Sequence, residues 1–139
     1  MYDFTLVPKD QIYTIIPLLK MLNDKLDEHI LKSRLDEMIL RGYECVGVYE
    51  HKKLIGISGL WTIVKYSDGK YIEPDNVIIH PDYRNKGIGE LMMNWIHEYA
   101  KSKGCTASEL NCYIANERGQ KFWLKEGYKR LGYRFQKKF

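Results

Sequence analysis

Apolar residues change their spacing several times along the chain, and each change marks an element. Phe4 to Val7 alternates apolar and polar positions, the period of a short half-buried strand. From Asp10 to about Leu22 the spacing is helical; Asp10 stands where a cap belongs, and Pro17 predicts a kink or a division. A second helix is predicted from about Glu28 to Arg41, with Leu31, Leu35 and Met38 on one face and Gly42 as its stop. ECVGVYE and KLIGISGLWTI then read as a hairpin whose strands are separated by His51 and Lys52. SDG at 67–69 turns the chain into YIEPDNVII, a strand that Pro74 interrupts either as a bulge or at its beginning.

The most regular pattern runs from Gly87 to about Lys103. Ile88, Leu91, Met92, Trp95, Ile96 and Tyr99 repeat at helical spacing, and Gly104 ends the run. A strand over about Ala107 to Cys112, a helix over about Glu117 to Glu126, and one or two strands in YKRLGYRFQKK complete the order βααβββαβαβ. This order predicts an α/β fold, a mixed sheet with helices on its faces. Without repeats or Pro/Gly/Ser linkers, the 139 residues are expected to form a single domain, 1–139.

Composition narrows the class. The 45% hydrophobic content supports a core, yet no apolar run reaches the length of a membrane span. The opening MYDFTLVPKD carries charge where a signal peptide needs an apolar stretch, so a cytoplasmic protein with no membrane partner is expected. Cys45, Cys105 and Cys112 lack CxxC spacing and a paired His motif, and read as buried thiols. His29, His51 and His97 show no ligand spacing either, so no metal is expected. The net charge of +4 conceals an asymmetry, −3 over residues 1–100 and +7 over 101–139. The basic end suits an anionic ligand, or is a solvated surface.

RNKGIG, Arg84 to Gly89, stands where a strand gives way to the long helix. Unpartnered N–H groups at a helix start, glycines that permit close approach, and basic side chains make an anion site; a surface turn is the alternative. The segment lacks the spacing of a P-loop and of the dinucleotide fingerprint, which disfavours ATP and NAD.

VIIHPDYRNKGIGELMMNWIHEYAKSKG followed by NERGQKFWLKEGY closely resembles the GNAT superfamily of acetyl-CoA-dependent N-acetyltransferases. Ile79-His80-Pro81 stands for the V-x-P of its signature, Arg84 to Gly89 for R-x-x-G-x-G, and Asn116 to Tyr128 for the later N-x-x-A-x-x-F-Y-x-x-x-G-F segment. The resemblance implies a mixed, mainly antiparallel sheet and acetyl-CoA as co-substrate. It implies that the amides of Arg84, Asn85, Lys86, Gly87, Ile88, Gly89 and Glu90 grip the CoA pyrophosphate. Val77, Ile78 and Ile79 would pair with the pantetheine arm, and Asn116 would contact it. The interruption at Pro74 would correspond to the family's distorted fourth strand, which opens the cleft.

Acyl transfer from a thioester needs a neutral amine, an oxyanion stabiliser and a proton for the thiolate. The resemblance places an oxyanion donor at the backbone N–H of Ile79 and a general base at Glu73; the alternative for Glu73 is an exposed strand-end carboxylate. Trp123 occupies the place of the family's acidic tyrosine, and Tyr113 and Tyr128 are the nearest substitutes, though each also fits a packing role. His80 reads as structural, and Trp61, Trp95 and Trp123 as packing residues.

The implied function is transfer of acetyl from acetyl-CoA to a primary amine, of a small molecule or a protein, by direct attack in a ternary complex. KFWLKEGYKRLGYRFQKK also resembles bacterial small-amine acetyltransferases, which favours a small metabolite. A non-catalytic acyl-CoA-binding module is the alternative, and nothing beyond charge points to nucleic acid. The acceptor pocket is expected to be built from the first two helices and the strand-to-strand loops, including Leu22–Leu31 and Trp61–Tyr71, whose Tyr66, Asp27 and Glu28 suit a cationic amine and equally a plain surface. Many relatives pair through their last strands, so a homodimer is a further expectation, with Tyr133 and Phe135 either taking part in it or filling this chain's own core.

Overall fold

The computed structural model describes all 139 residues. Strands β1 (Tyr2–Leu6), β2 (Glu44–Glu50), β3 (Lys53–Lys65) and β4 (Gly69–Ile79) form an antiparallel series, and β5 (Ala107–Ser108) joins β4 in parallel. The mixed, mainly antiparallel sheet is therefore present, in the order β1-β2-β3-β4-β5.

Helices cover both faces. Helices α1 (Ile16–Leu22) and α2 (Glu28–Leu40) bury Ile16, Leu19, Leu31 and Leu35 against Tyr43, Cys45, Ile57 and Ile78. On the opposite face, α3 (Ile88–Ser102) buries Ile88, Met92, Met93, Ile96 and Ala100 against Val46, Val48, Leu60 and Ile72. Helix α4 (Glu117–Lys125) packs beside it through Phe122 and Trp123. Each cluster removes a continuous apolar stripe from water, the main driving force for this layering. No helix is long and apolar enough to cross a membrane.

Several sequence expectations shift in detail. Residues Lys9–Ile15 form a 3-10 helix, and the α-helix starts only at Ile16. Pro17 then occupies the first turn, where its missing N–H costs nothing, so the chain changes helix type there instead of bending one helix. Asp10 makes no cap bond, and Asp27 is the working N-cap, accepting from Ile30 N at 2.8 Å. Leu91, assigned to the apolar stripe of α3, is exposed, while Met93 and Ala100 fill the core instead.

The largest departure is at the end of the sheet. The strand expected over 107–112 has two residues, and no strand forms within 128–138. Lys70 O accepts from Thr106 N at 2.9 Å and Ile72 O from Glu109 N at 3.0 Å, so alternate residues of β4 turn their polar groups toward β5. Pro74 is next in that alternation and has no N–H to give, which stops the ladder. The tail, residues 128–138, pairs with no strand of its own chain. Leu131, Tyr133 and Phe135 alternate along it and are 84–93% exposed.

Candidate active site

The interruption in β4 lies two residues beyond Pro74, which itself pairs in register with Leu60. Gly59 stands opposite Asp75 and Ile57 opposite Ile78; two steps on β3 match three on β4, so β4 carries one extra residue. Asn76 absorbs it with φ +53°, the left-handed conformation that asparagine tolerates better than most side chains. The extra residue reverses the alternation. Ile72 faces α3, and five residues later Val77 faces the same way, as does Ile79, while Ile78 packs toward α1 and α2.

The bulge also re-aims the backbone. His80 N donates to Ile55 O at 2.7 Å, which makes His80 and Ile55 a hydrogen-bonded pair and leaves Ile79 and Gly56 as the intervening non-bonded pair. The N–H and C=O of Ile79 therefore point away from β3, toward the edge that β5 has left. Arg84 Nε donates to that carbonyl at 3.1 Å, tying the following loop to the strand end. From Pro74 to Ile79 the outer edge of β4 has no strand partner.

The loop after this edge has features that suit an anion. His80 Nδ1 accepts from Asp82 N at 3.1 Å and starts a 3-10 turn, Pro81–Tyr83, which fits its structural reading. Asn85 at φ +62° and Gly87 at φ +77° both take the left-handed conformation just before α3 begins at Ile88, the kind of turn in which backbone N–H groups can converge on an anion. Open space surrounds the Cβ position of Gly87, so glycine is needed there for its φ alone. Gly89 has another role: a Cβ on it would meet the Phe122 ring at 3.3 Å, so it admits α4 against the start of α3. Lys86 lies 5.4 Å over the ring of Tyr83. Ile88 is buried in the core and contributes only backbone to the loop, while Glu90 places an acidic side chain in the first turn. Asn116 caps α4, its Oδ1 accepting from Gly119 N at 2.9 Å while its amide NH2 has no partner within the chain.

Glu73 and Asp75 lie on the α1/α2 side of the sheet, in register with Trp61 and Gly59. Asp75 is fully engaged, accepting from Trp61 Nε1 at 3.1 Å and from Asn76 N at 3.0 Å. Glu73 accepts no hydrogen bond within the protein, and burial together with the Asp75 charge raises its pKa against the opposing pull of Lys65 and Arg134. A carboxylate with an unused acceptor and a raised pKa has the properties of a proton acceptor.

The remaining candidates lie elsewhere. The Tyr128 hydroxyl is held by His97 Nε2 at 3.0 Å and Ser108 Oγ at 2.7 Å, with Trp123 packed edge-on at 5.4 Å, all on the α3 side. Burial raises the Tyr128 pKa and lowers that of His97, so both stay neutral near pH 7. Tyr113 is exposed on a loop. In the expected acceptor region, Asp27 is consumed as a helix cap, Glu28 pairs with Lys32 at 3.7 Å, and Tyr66 is fully exposed. No group of three or more His, Cys, Asp or Glu side chains gathers to hold a metal. Sequence reasoning missed Tyr43, a buried residue whose hydroxyl reaches Asn76, because that contact depends on strand register.

Comparison with known proteins bears on the fold and the family. An aminoalkylphosphonate N-acetyltransferase from Salmonella typhimurium is 32% identical over 65 residues, 47% of this chain and 42% of that protein's length. The chain thus matches less than half the length of this curated relative. The fold is shared with the aminoglycoside N-acetyltransferase AAC(6')-Iy in complex with CoA, at a TM-score of 0.86 and 14% identity over all of this chain and 95% of that one. It is shared equally with a ribosomal-protein-alanine N-acetyltransferase from Brucella melitensis biovar Abortus 2308, at a TM-score of 0.83 and 18% identity over the whole of both chains. Residues 13–128 match the Acetyltransferase (GNAT) family, and the chain belongs to it.

Proposed function

We propose that the protein transfers the acetyl group of acetyl-CoA to a primary amine by direct attack within a ternary complex. The observation that carries this reading is one juxtaposition: an unpartnered β4 edge runs straight into an amide-lined loop at the start of α3. An open edge accepts an extended amide-bearing arm as though it were a strand, and the loop accepts a pyrophosphate. Bound acetyl-CoA supplies an activated thioester.

In this reading the amides of Asn85 through Glu90, that of Arg84 being taken by Pro81 O at 3.3 Å, and the charges of Arg84 and Lys86 hold the phosphates. Val77, Ile78 and Ile79 line the arm, and the free amide of Asn116 reaches it. The outward N–H of Ile79 stabilises the developing oxyanion. Glu73 takes the amine proton, directly or through a water. The Tyr128 hydroxyl is already engaged by His97 Nε2 and Ser108 Oγ, which leaves it a weak acid candidate. Trp123 has no acidic hydroxyl, so the thiolate takes its proton from solvent. A small metabolic amine is the favoured acceptor, on the likeness to the aminoalkylphosphonate enzyme. Three unpaired cysteines fit a reducing, cytoplasmic setting. The exposed Leu131, Tyr133 and Phe135 favour a homodimer through the tail, which sedimentation velocity checks.

Trp123 also favours one second reading, an acyl-CoA-binding module without catalysis. Release of CoA thiol from acetyl-CoA across a panel of primary amines separates the two. Turnover on a small amine is expected. CoA binding with no turnover on any amine supports the module, and absence of CoA binding overturns both.

A further inference from the structure

Tyr43 lies one residue before β2 and is completely buried. Its ring crosses β3 at Gly59, where a Cβ would collide with the ring's Oη, Cε1 and Cζ atoms. Gly59 stands opposite Asp75, the last residue paired before the extra residue of β4. Passing over that glycine, the Tyr43 hydroxyl donates to Asn76 Oδ1 at 3.2 Å, the side chain of the residue in the left-handed conformation. The neighbouring Asp75 is fixed by Trp61 and by Asn76's own N–H, and the Trp61 and Tyr43 rings pack at 5.1 Å and 59°. The β4 bulge is thus tied to β2 and β3 through side chains on one face.

We propose that Tyr43 is a positioning residue for the acyl-donor cleft: its hydroxyl, admitted over Gly59, holds Asn76 in the bulge and thereby fixes the outward edge of Val77 to Ile79. The proposal rests on the reading that this edge binds the CoA arm. A residue that only packs the core would need its ring and not its hydroxyl. Burial leaves the phenol protonated throughout the working pH range, so the donor is always present.

Two variants separate these roles. Tyr43→Phe keeps the ring on Gly59 and removes the donor; Asn76→Gly keeps a favourable left-handed φ and removes the acceptor. Each is expected to raise the calorimetric Kd for CoA about 3- to 10-fold, the effect of losing roughly one hydrogen bond's worth of preorganisation. The KM for acetyl-CoA should rise in step, with kcat within about twofold of wild type, and the double variant should be no worse than either single one. Hydrogen exchange at the Ile78 amide, which faces Ile57 across the bulge, should accelerate in both variants. A folded Tyr43→Phe protein with unchanged CoA affinity and unchanged Ile78 exchange overturns the proposal, as do additive effects in the double variant. If wild-type protein fails to bind CoA, the cleft reading falls instead, and Ile78 exchange alone decides whether Tyr43 holds the bulge.

Discussion

Glu73 is the side chain on which the proposed chemistry turns. It accepts protons only when ionised, and burial and the adjacent Asp75 raise its pKa more than Lys65 and Arg134 lower it. Activity should therefore rise with pH through a midpoint above that of an unperturbed glutamate. Glu73→Gln should lower kcat/KM by about 10²- to 10⁴-fold and abolish that limb of the profile. A pH–rate profile measured on both proteins checks this, and an unchanged profile in the glutamine variant would remove Glu73 from the reaction. Glu73 was legible as a candidate only through the family resemblance. Its contrast with Asp75 was not, since only the fold brings Trp61 Nε1 to one carboxylate and leaves the other unbonded.

At the scale of elements, the device that matters is the irregular β4. Helix α3 was readable in advance because its stripe repeats at the helical period over fifteen residues and needs no partner to be recognised. The bulge was only half readable. Pro74 announced an interruption, but the extra residue sits at Asn76, where it depends on how β3 pairs with β4 and on a tyrosine arriving from before β2. The same dependence explains the tail: its alternating residues have the period of a strand, and periodicity alone does not reveal that β5 has already left the edge. Gly59 belongs to this element too. Gly59→Ala should destabilise the protein by about 1–3 kcal/mol, because the new methyl meets the Tyr43 ring in a filled core. Urea unfolding measures it; a loss below about 0.5 kcal/mol would mean that Tyr43 has room to move.

Across the whole molecule, the two halves of the proposed donor site come from different layers. The open edge belongs to the sheet, and the cradle belongs to the start of α3, which is locked in place by Ile88 in the core and by Phe122 against Gly89. One ligand spanning both is the central claim, and a titration of CoA into wild-type protein and a Gly87→Asp variant tests it most directly. The substitution puts a side chain at φ +77° and a negative charge into the cradle, in open space where it does not disturb the core. CoA should bind the wild type and bind the folded variant at least about 10-fold more weakly; equal affinity in the two proteins would contradict the placement of the pyrophosphate at RNKGIG.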